Sequence, residues 1–89
     1  MIYNSKEGEI DLSRLTRIYP AVVVDMQGEV AEMSLEWEEI YGEKVKIVSW
    51  VLVFDFTPPH EEKRERTVLN FESKEALLEE IQKVAPLLQ

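Results

Sequence analysis

The run from Val45 to Phe56, VKIVSWVLVFDF, limits the possible folds more than any other stretch of the chain. It is the most apolar segment, yet Lys46, Ser49 and Asp55 interrupt it. A membrane-spanning helix needs about 20 apolar residues in succession, so this run is too short to cross a bilayer. Its Val, Ile, Trp and Phe side chains suit a pleated surface. The run therefore predicts a strand from about Lys44 to Phe56, buried on much of both faces.

Neighbouring segments supply partners for it. RIYPAVVVDM predicts a strand over Arg17 to Met26, and Gln27-Gly28 a two-residue turn. In EVAEMSLEW, Ala31, Met33, Leu35 and Trp37 alternate with Glu32, Ser34, Glu36 and Glu38, the pattern of a half-buried strand. Tyr41-Gly42 is a second candidate turn, and RTVLNF a last strand. The first turn sets Val24 opposite Ala31 and Val22 opposite Met33. The second sets Leu35 opposite Val48 and Met33 opposite Trp50. Cross-strand neighbours share a sheet face. Both registers then gather Val22, Val24, Ala31, Met33, Leu35, Val48, Trp50, Leu52, Phe54 and Phe56 on one face. A slip of one residue in either turn would scatter that set. The agreement points to an antiparallel meander.

From Ser73 the period becomes helical. Ser73 is a good N-cap and Glu75 sits in the first turn. Leu77, Leu78, Ile81, Val84, Ala85 and Leu88 form one apolar stripe. Pro86 predicts a helix end near Val84 or Ala85. A lone helix must bury its stripe on the sheet. The length of 89 residues fits one domain spanning 1–89. The fold class is therefore α+β: a curved antiparallel sheet of four to six strands with a C-terminal amphipathic helix on one face. No internal repeat or low-complexity linker stands out in the sequence.

The second sheet face is less uniform. Asp25, Glu32, Ser34, Glu36 and Glu38 share it with Ala21, Val23, Val45, Ile47, Val51 and Val53. Such a face calls for a cover. One cover is the N-terminal segment with Ile10, Leu12 and Leu15. The other is a second copy of the chain, with Val23, Val45, Ile47, Val51 and Val53 as the interface of a homodimer.

Charge narrows the partners. Eighteen acidic and ten basic side chains give a net charge of −8. That sign repels phosphate backbones and anionic lipid, so neither nucleic acid nor membrane is an expected partner. The chain has no cysteine, which leaves no disulfide, thiolate chemistry or cysteine zinc site and fits a cytoplasmic setting. MIYNSKEGEIDL lacks the basic and apolar blocks of a signal peptide.

Few residues suggest chemistry. His60 precedes Glu61 and Glu62, but a zinc site needs three or four converging ligands, and a solvated loop tip explains the group better. No metal and no cofactor is expected, and no catalytic residue is assigned. Asp25 and Asp55 fall on one face in this register. A carboxyl in the apolar run would titrate high, as a general acid does. The alternative, favoured here, is a pair of strand-end carboxylates, solvated or matched by Arg or Lys. Glu32, Glu36 and Glu38 read as a solvated face that discourages edge pairing. Trp37, Trp50, Phe54 and Phe56 read as core.

The join NFESKEALLEEI, closing a β-meander with an amphipathic helix, resembles the end of pleckstrin-homology-like domains of small bacterial proteins. GEIDLSRLTRI is similar to their early strand and turn. The likeness is architectural and spans much of the chain. Four strands are legible where that family has seven, and its basic phosphoinositide-binding loop is absent, so lipid headgroup binding does not carry over. The resemblance implies a binding or assembly module and no residue role. The expected function is accordingly a non-catalytic interaction or assembly module, with a protein partner or itself. The alternative is a small enzyme or ligand-binding protein with a pocket between helix and sheet, using Asp55 or Asp25.

Overall fold

Gln27 and Gly28 both take positive φ, 55° and 91°, as a type I′ turn requires. The Asp25 carboxylate accepts the Gly28 N–H at 2.9 Å and closes the turn. This hairpin starts the main sheet of the computed structural model, which describes residues 1–88. The chain opens with β1 (Ile2–Ser5) and β2 (Gly8–Asp11), a separate two-stranded hairpin. Then come β3 (Arg17–Met26), β4 (Glu29–Met33), α1 (Leu35–Tyr41), β5 (Lys46–Asp55), β6 (Arg66–Phe71) and α2 (Lys74–Val84). Short 3-10 turns occupy Leu12–Arg14, Gly42–Lys44 and Ala85–Leu88.

The main sheet is antiparallel, in the order β4-β3-β5-β6. The fold is thus α+β, with the C-terminal helix packed on the sheet. The first hairpin keeps the expected register, Val22 opposite Met33 and Val24 opposite Ala31. The second turn differs. Ser34 does not continue β4; its hydroxyl accepts the Trp37 N–H at 3.1 Å and caps α1. Glu36 and Glu38 in the first turn of α1 favour the positive end of its dipole. The chain therefore crosses over β3, and β5 pairs with β3 instead of β4.

A bulge follows from that pairing. Val22 faces Trp50 and Val23 faces Ser49, but Val24 faces Ile47, so Val48 has no partner and stays 53% exposed. The slip turns the start of β5 over. Val45 and Ile47, expected on the second face, pack into the main core, and Val48, expected in that core, does not.

The main core lies on one face of the sheet. Val22, Val24, Leu52, Phe54, Leu69, Leu77 and Val84 are buried there. Both helices and the β1–β2 hairpin contribute to it. Tyr3 stacks on Phe54, with ring centres 5.9 Å apart, and its hydroxyl donates to Glu80 of α2. Burial and the Glu80 carboxylate push the Tyr3 phenol well above its ordinary pKa. Ile10, Leu12 and Leu15 also join this core, so the N-terminal segment covers the helix-bearing face and not the Val51 face. The α2 stripe is narrower than expected: Leu77 and Val84 are fully buried, whereas Leu78 is 41% exposed.

Candidate functional site

The second face covers itself by curling. Ala21, Val51 and Val53 are buried under Tyr19, Val23 and Val68. Arg66 of β6 donates from Nη2 to both carboxylate oxygens of Glu32 in β4, at 2.8 and 2.9 Å. These are the two edge strands, roughly 14 Å apart in a flat sheet of four. The pairings set Arg66 level with Arg17 but Glu32 level with Val23, roughly 20 Å further along β3, so in a flat sheet the two side chains could not reach each other. The contact therefore requires a sheet concave on this side. Tyr19 lies beneath the bridge, with the Arg17 guanidinium 4.5 Å and that of Arg66 5.9 Å from its ring centre. The five residues expected to form one interface are thus divided. Val45 and Ile47 lie in the main core, Val51 and Val53 are fully buried within a single chain, and Val23 is half-buried.

The two aspartates do not meet. Asp55 faces Arg17 at one end of β3 and Asp25 faces Lys46 at the other. Eight residues of strand separate those ends, roughly 26 Å. Each aspartate closes a turn. Asp25 accepts from Gly28, and Asp55 accepts the Thr57 N–H at 2.9 Å. The Thr57 hydroxyl and N–H, aided by the Arg17 guanidinium, hold the Asp55 carboxyl below its ordinary range against the opposing effect of burial. The direction is opposite to that of a general acid in an apolar pocket. Thr16 secures the same corner, its N–H and hydroxyl donating to the Asp55 carbonyl at 2.9 and 2.8 Å.

His60 lies exposed at the tip of the β5–β6 connection. The Glu61 N–H reaches the Pro58 carbonyl at 3.2 Å, and His60 takes φ 69°, the left-handed position of that turn. Among the described residues no three His, Asp or Glu side chains converge on a point.

The feature that sequence reading missed is a notch in the sheet edge. β4 pairs with β3 only from Val22 to Met26. Arg17 to Ala21 pair with β5 on one side and, among the described residues, have no strand on the other. The two-residue turn closes on Met26 and Glu29, so alternate residues Met26, Val24 and Val22 direct their N–H and C=O groups toward β4. Pro20 and Ile18 continue that alternation. Ile18 therefore presents an N–H and a carbonyl to the open edge, and Pro20 a carbonyl alone. An outward-facing position is where a sheet tolerates proline.

Two clefts open along this edge. One, about 180 Å³, lies between α2 and the sheet and is lined by Ile18, Pro20, Leu52, Ile81, Val84 and Leu88, among others. It holds neither Asp25 nor Asp55. The other, about 410 Å³, lies beyond the end of β4 between Tyr19, Ala21 and Glu32 and the start of α1 at Ser34, Leu35 and Glu36. The signal available in the sequence was Ser34 itself, an N-cap followed by acidic residues, which ends β4 early. No protein-family model, curated protein or solved structure matches the chain.

Proposed function

We propose that this protein is a non-catalytic interaction or assembly module that binds through the notch beside β3. One observation carries the reading: among the described residues a stretch of an inner strand, Arg17 to Ala21, lacks a strand neighbour on one edge, where two clefts open on either side of it. Unpaired strand edges recruit other chains. The site offers hydrogen-bonding backbone and pockets, and its polar side chains are not arranged around a reacting centre. The rival reading, a pocket enzyme using Asp55 or Asp25, draws no support from the helix–sheet cleft, whose lining is apolar, or from the aspartates, which close turns at opposite ends of the sheet.

The test places a photo-crosslinking residue at Glu36, beside the notch, or at Gln82, on the exposed side of α2, in cells that make the protein. A discrete adduct from position 36, with a partner or a second copy, is expected, and none from position 82. Equal labelling from both positions, or none from 36, overturns the reading.

A further inference from the structure

We infer that the notch takes an extended segment of a partner protein, added to β3 as a short strand, with an apolar and a basic side chain at adjacent positions. The inference rests on the module reading above and names the chemistry of its partner. Adjacent side chains of a strand point to opposite faces. A strand beside Ile18 to Ala21 would thus send one side chain toward the helix-bearing face and the next toward the concave face. On the first side waits the cleft of Ile18, Leu52, Ile81, Val84 and Leu88, without a charged group in its lining. That cleft suits one large aliphatic or aromatic side chain. On the second side are Glu32, Ser34 and Glu36. Glu32 is already bridged to Arg66, whereas Glu36 is exposed and makes no ion pair among the described residues. A lysine or arginine there meets a carboxylate, within a chain whose net charge is −8.

The backbone sets the length of the guest. Ile18 can give and accept a hydrogen bond, and Pro20 can only accept. The missing N–H at Pro20 and the wall formed by α1 after Ser34 stop the ladder after a few residues. A short peptide fits this edge, and the proline discourages open-ended pairing with further copies of the same sheet.

The experiment titrates the intact protein with three synthetic heptapeptides, followed by amide NMR shifts. The first carries a central Leu-Arg pair among Ser and Thr residues, the second Leu-Glu in its place, and the third is the Leu-Arg peptide methylated on alternate backbone nitrogens. The expected result is binding of the first peptide, with shifts centred on Ile18, Tyr19, Ala21 and Leu35, and at least tenfold weaker binding of the other two. Glu36→Lys should weaken the first peptide about tenfold, the scale of one lost charge contact made repulsive. Leu88→Ser, at an exposed rim position, removes apolar contact without changing charge and should weaken it while leaving the salt dependence intact. Comparable binding of the Leu-Glu or the methylated peptide overturns the inference, as does failure of the first to bind. A homodimer seen by light scattering, with its shifts on residues 17–21, replaces the partner peptide by a second copy and also overturns it. In all these cases a position-36 adduct would leave the module reading standing.

Discussion

The main sheet and its helices contain the same plan twice, and the two versions have diverged. β3, β4 and α1 form one hairpin followed by a helix; β5, β6 and α2 form the other. Each begins with a ten-residue strand in the centre of the sheet. Near the end of each long strand stands an aspartate, Asp25 or Asp55, whose carboxylate accepts a turn N–H at 2.9 Å. Each has a serine, Ser34 or Ser73, whose hydroxyl caps the helix at 3.1 Å. Both helices pack on the same core. The second unit is complete: α2 has 11 residues and buries Leu77 and Val84 entirely. The first is cut short: β4 has 5 residues, α1 has 7, and no residue of α1 is fully buried. The difference separates two tasks. The second unit provides most of the core, and the truncation of the first leaves the edge of β3 open.

The largest test of this division is a pair of core truncations. Leu77→Ala should lower the unfolding free energy by about 3 kcal/mol, the middle of the range for a buried leucine. Trp37→Ala removes a larger side chain, but one that is half-buried and packs on Tyr41 at 5.2 Å as well as on the core. It should cost less than Leu77→Ala in spite of its size. Urea denaturation of both variants decides the matter; a greater loss for Trp37→Ala would make α1 a full partner in stability. Leu78→Ala serves as the control and should cost under about 1 kcal/mol, because that side chain is largely in water.

The caps offer the next comparison. Ser73→Ala should reduce global stability by about 1 kcal/mol, the usual effect of losing an N-cap side chain. Ser34→Ala removes an equivalent bond from a helix that can open by itself. Its effect should therefore appear as faster amide exchange in Trp37 to Tyr41, with a smaller shift of the urea midpoint than Ser73→Ala gives. Equal midpoint shifts would mean that α1 melts only with the whole domain.

Much of this plan was legible in the sequence, and the failures share a cause. The strands Arg17–Met26 and Arg66–Phe71 and the helix after Ser73 appear where periodicity put them. The stretch from Ser34 to Glu38 did not, because Leu35 and Trp37 continue the alternation of Ala31 and Met33 well enough for a strand while Ser34 and the following glutamates start a helix. Local capping prevailed over period-two patterning. Once α1 forms, Tyr41-Gly42 cannot be a hairpin turn, and β5 has to find β3. The bulge at Val48 is a tertiary consequence of that pairing, and no local pattern announces it. Val45 and Ile47 changed faces for the same reason. The Arg66–Glu32 bridge joins residues 34 positions apart on opposite sheet edges and depends on curvature, which a one-dimensional pattern does not carry. The notch was invisible for the same reason that β4 was overextended.

Acid provides a smaller test, confined to the second unit. The Asp55 carboxyl titrates below its ordinary range in the folded protein. A group whose folded value is depressed stabilises the fold above its unfolded value, about 3.9 for aspartate, and loses that contribution as pH falls through the folded value. The stability difference between the native protein and Asp55→Asn should thus be constant from neutrality down to about pH 5 and should shrink below about pH 4. A difference that grows on acidification would contradict the assignment of Asp55 as a turn-closing carboxylate.

The smallest expected effect tests whether the two units are joined at their outer edges. Arg66 belongs to the second and Glu32 to the first, and one guanidinium nitrogen, Nη2, donates to both carboxylate oxygens. Two factors limit its contribution. Both side chains are partly exposed, 25% and 35%, so water and salt screen the attraction. The Arg66 Nε is buried without a hydrogen-bond partner among the described residues, a cost that belongs to the same arrangement. A double-mutant cycle of Arg66→Met and Glu32→Gln should therefore give a coupling of about 0.5–1 kcal/mol at low salt, decreasing as salt is raised. A coupling near zero would mean that sheet curvature is set by the core alone and that Arg66 merely lies along the concave face. A value well above that range would show that the bridge holds the sheet curled, and then Glu32→Gln should also loosen the notch and reduce binding of the strand guest.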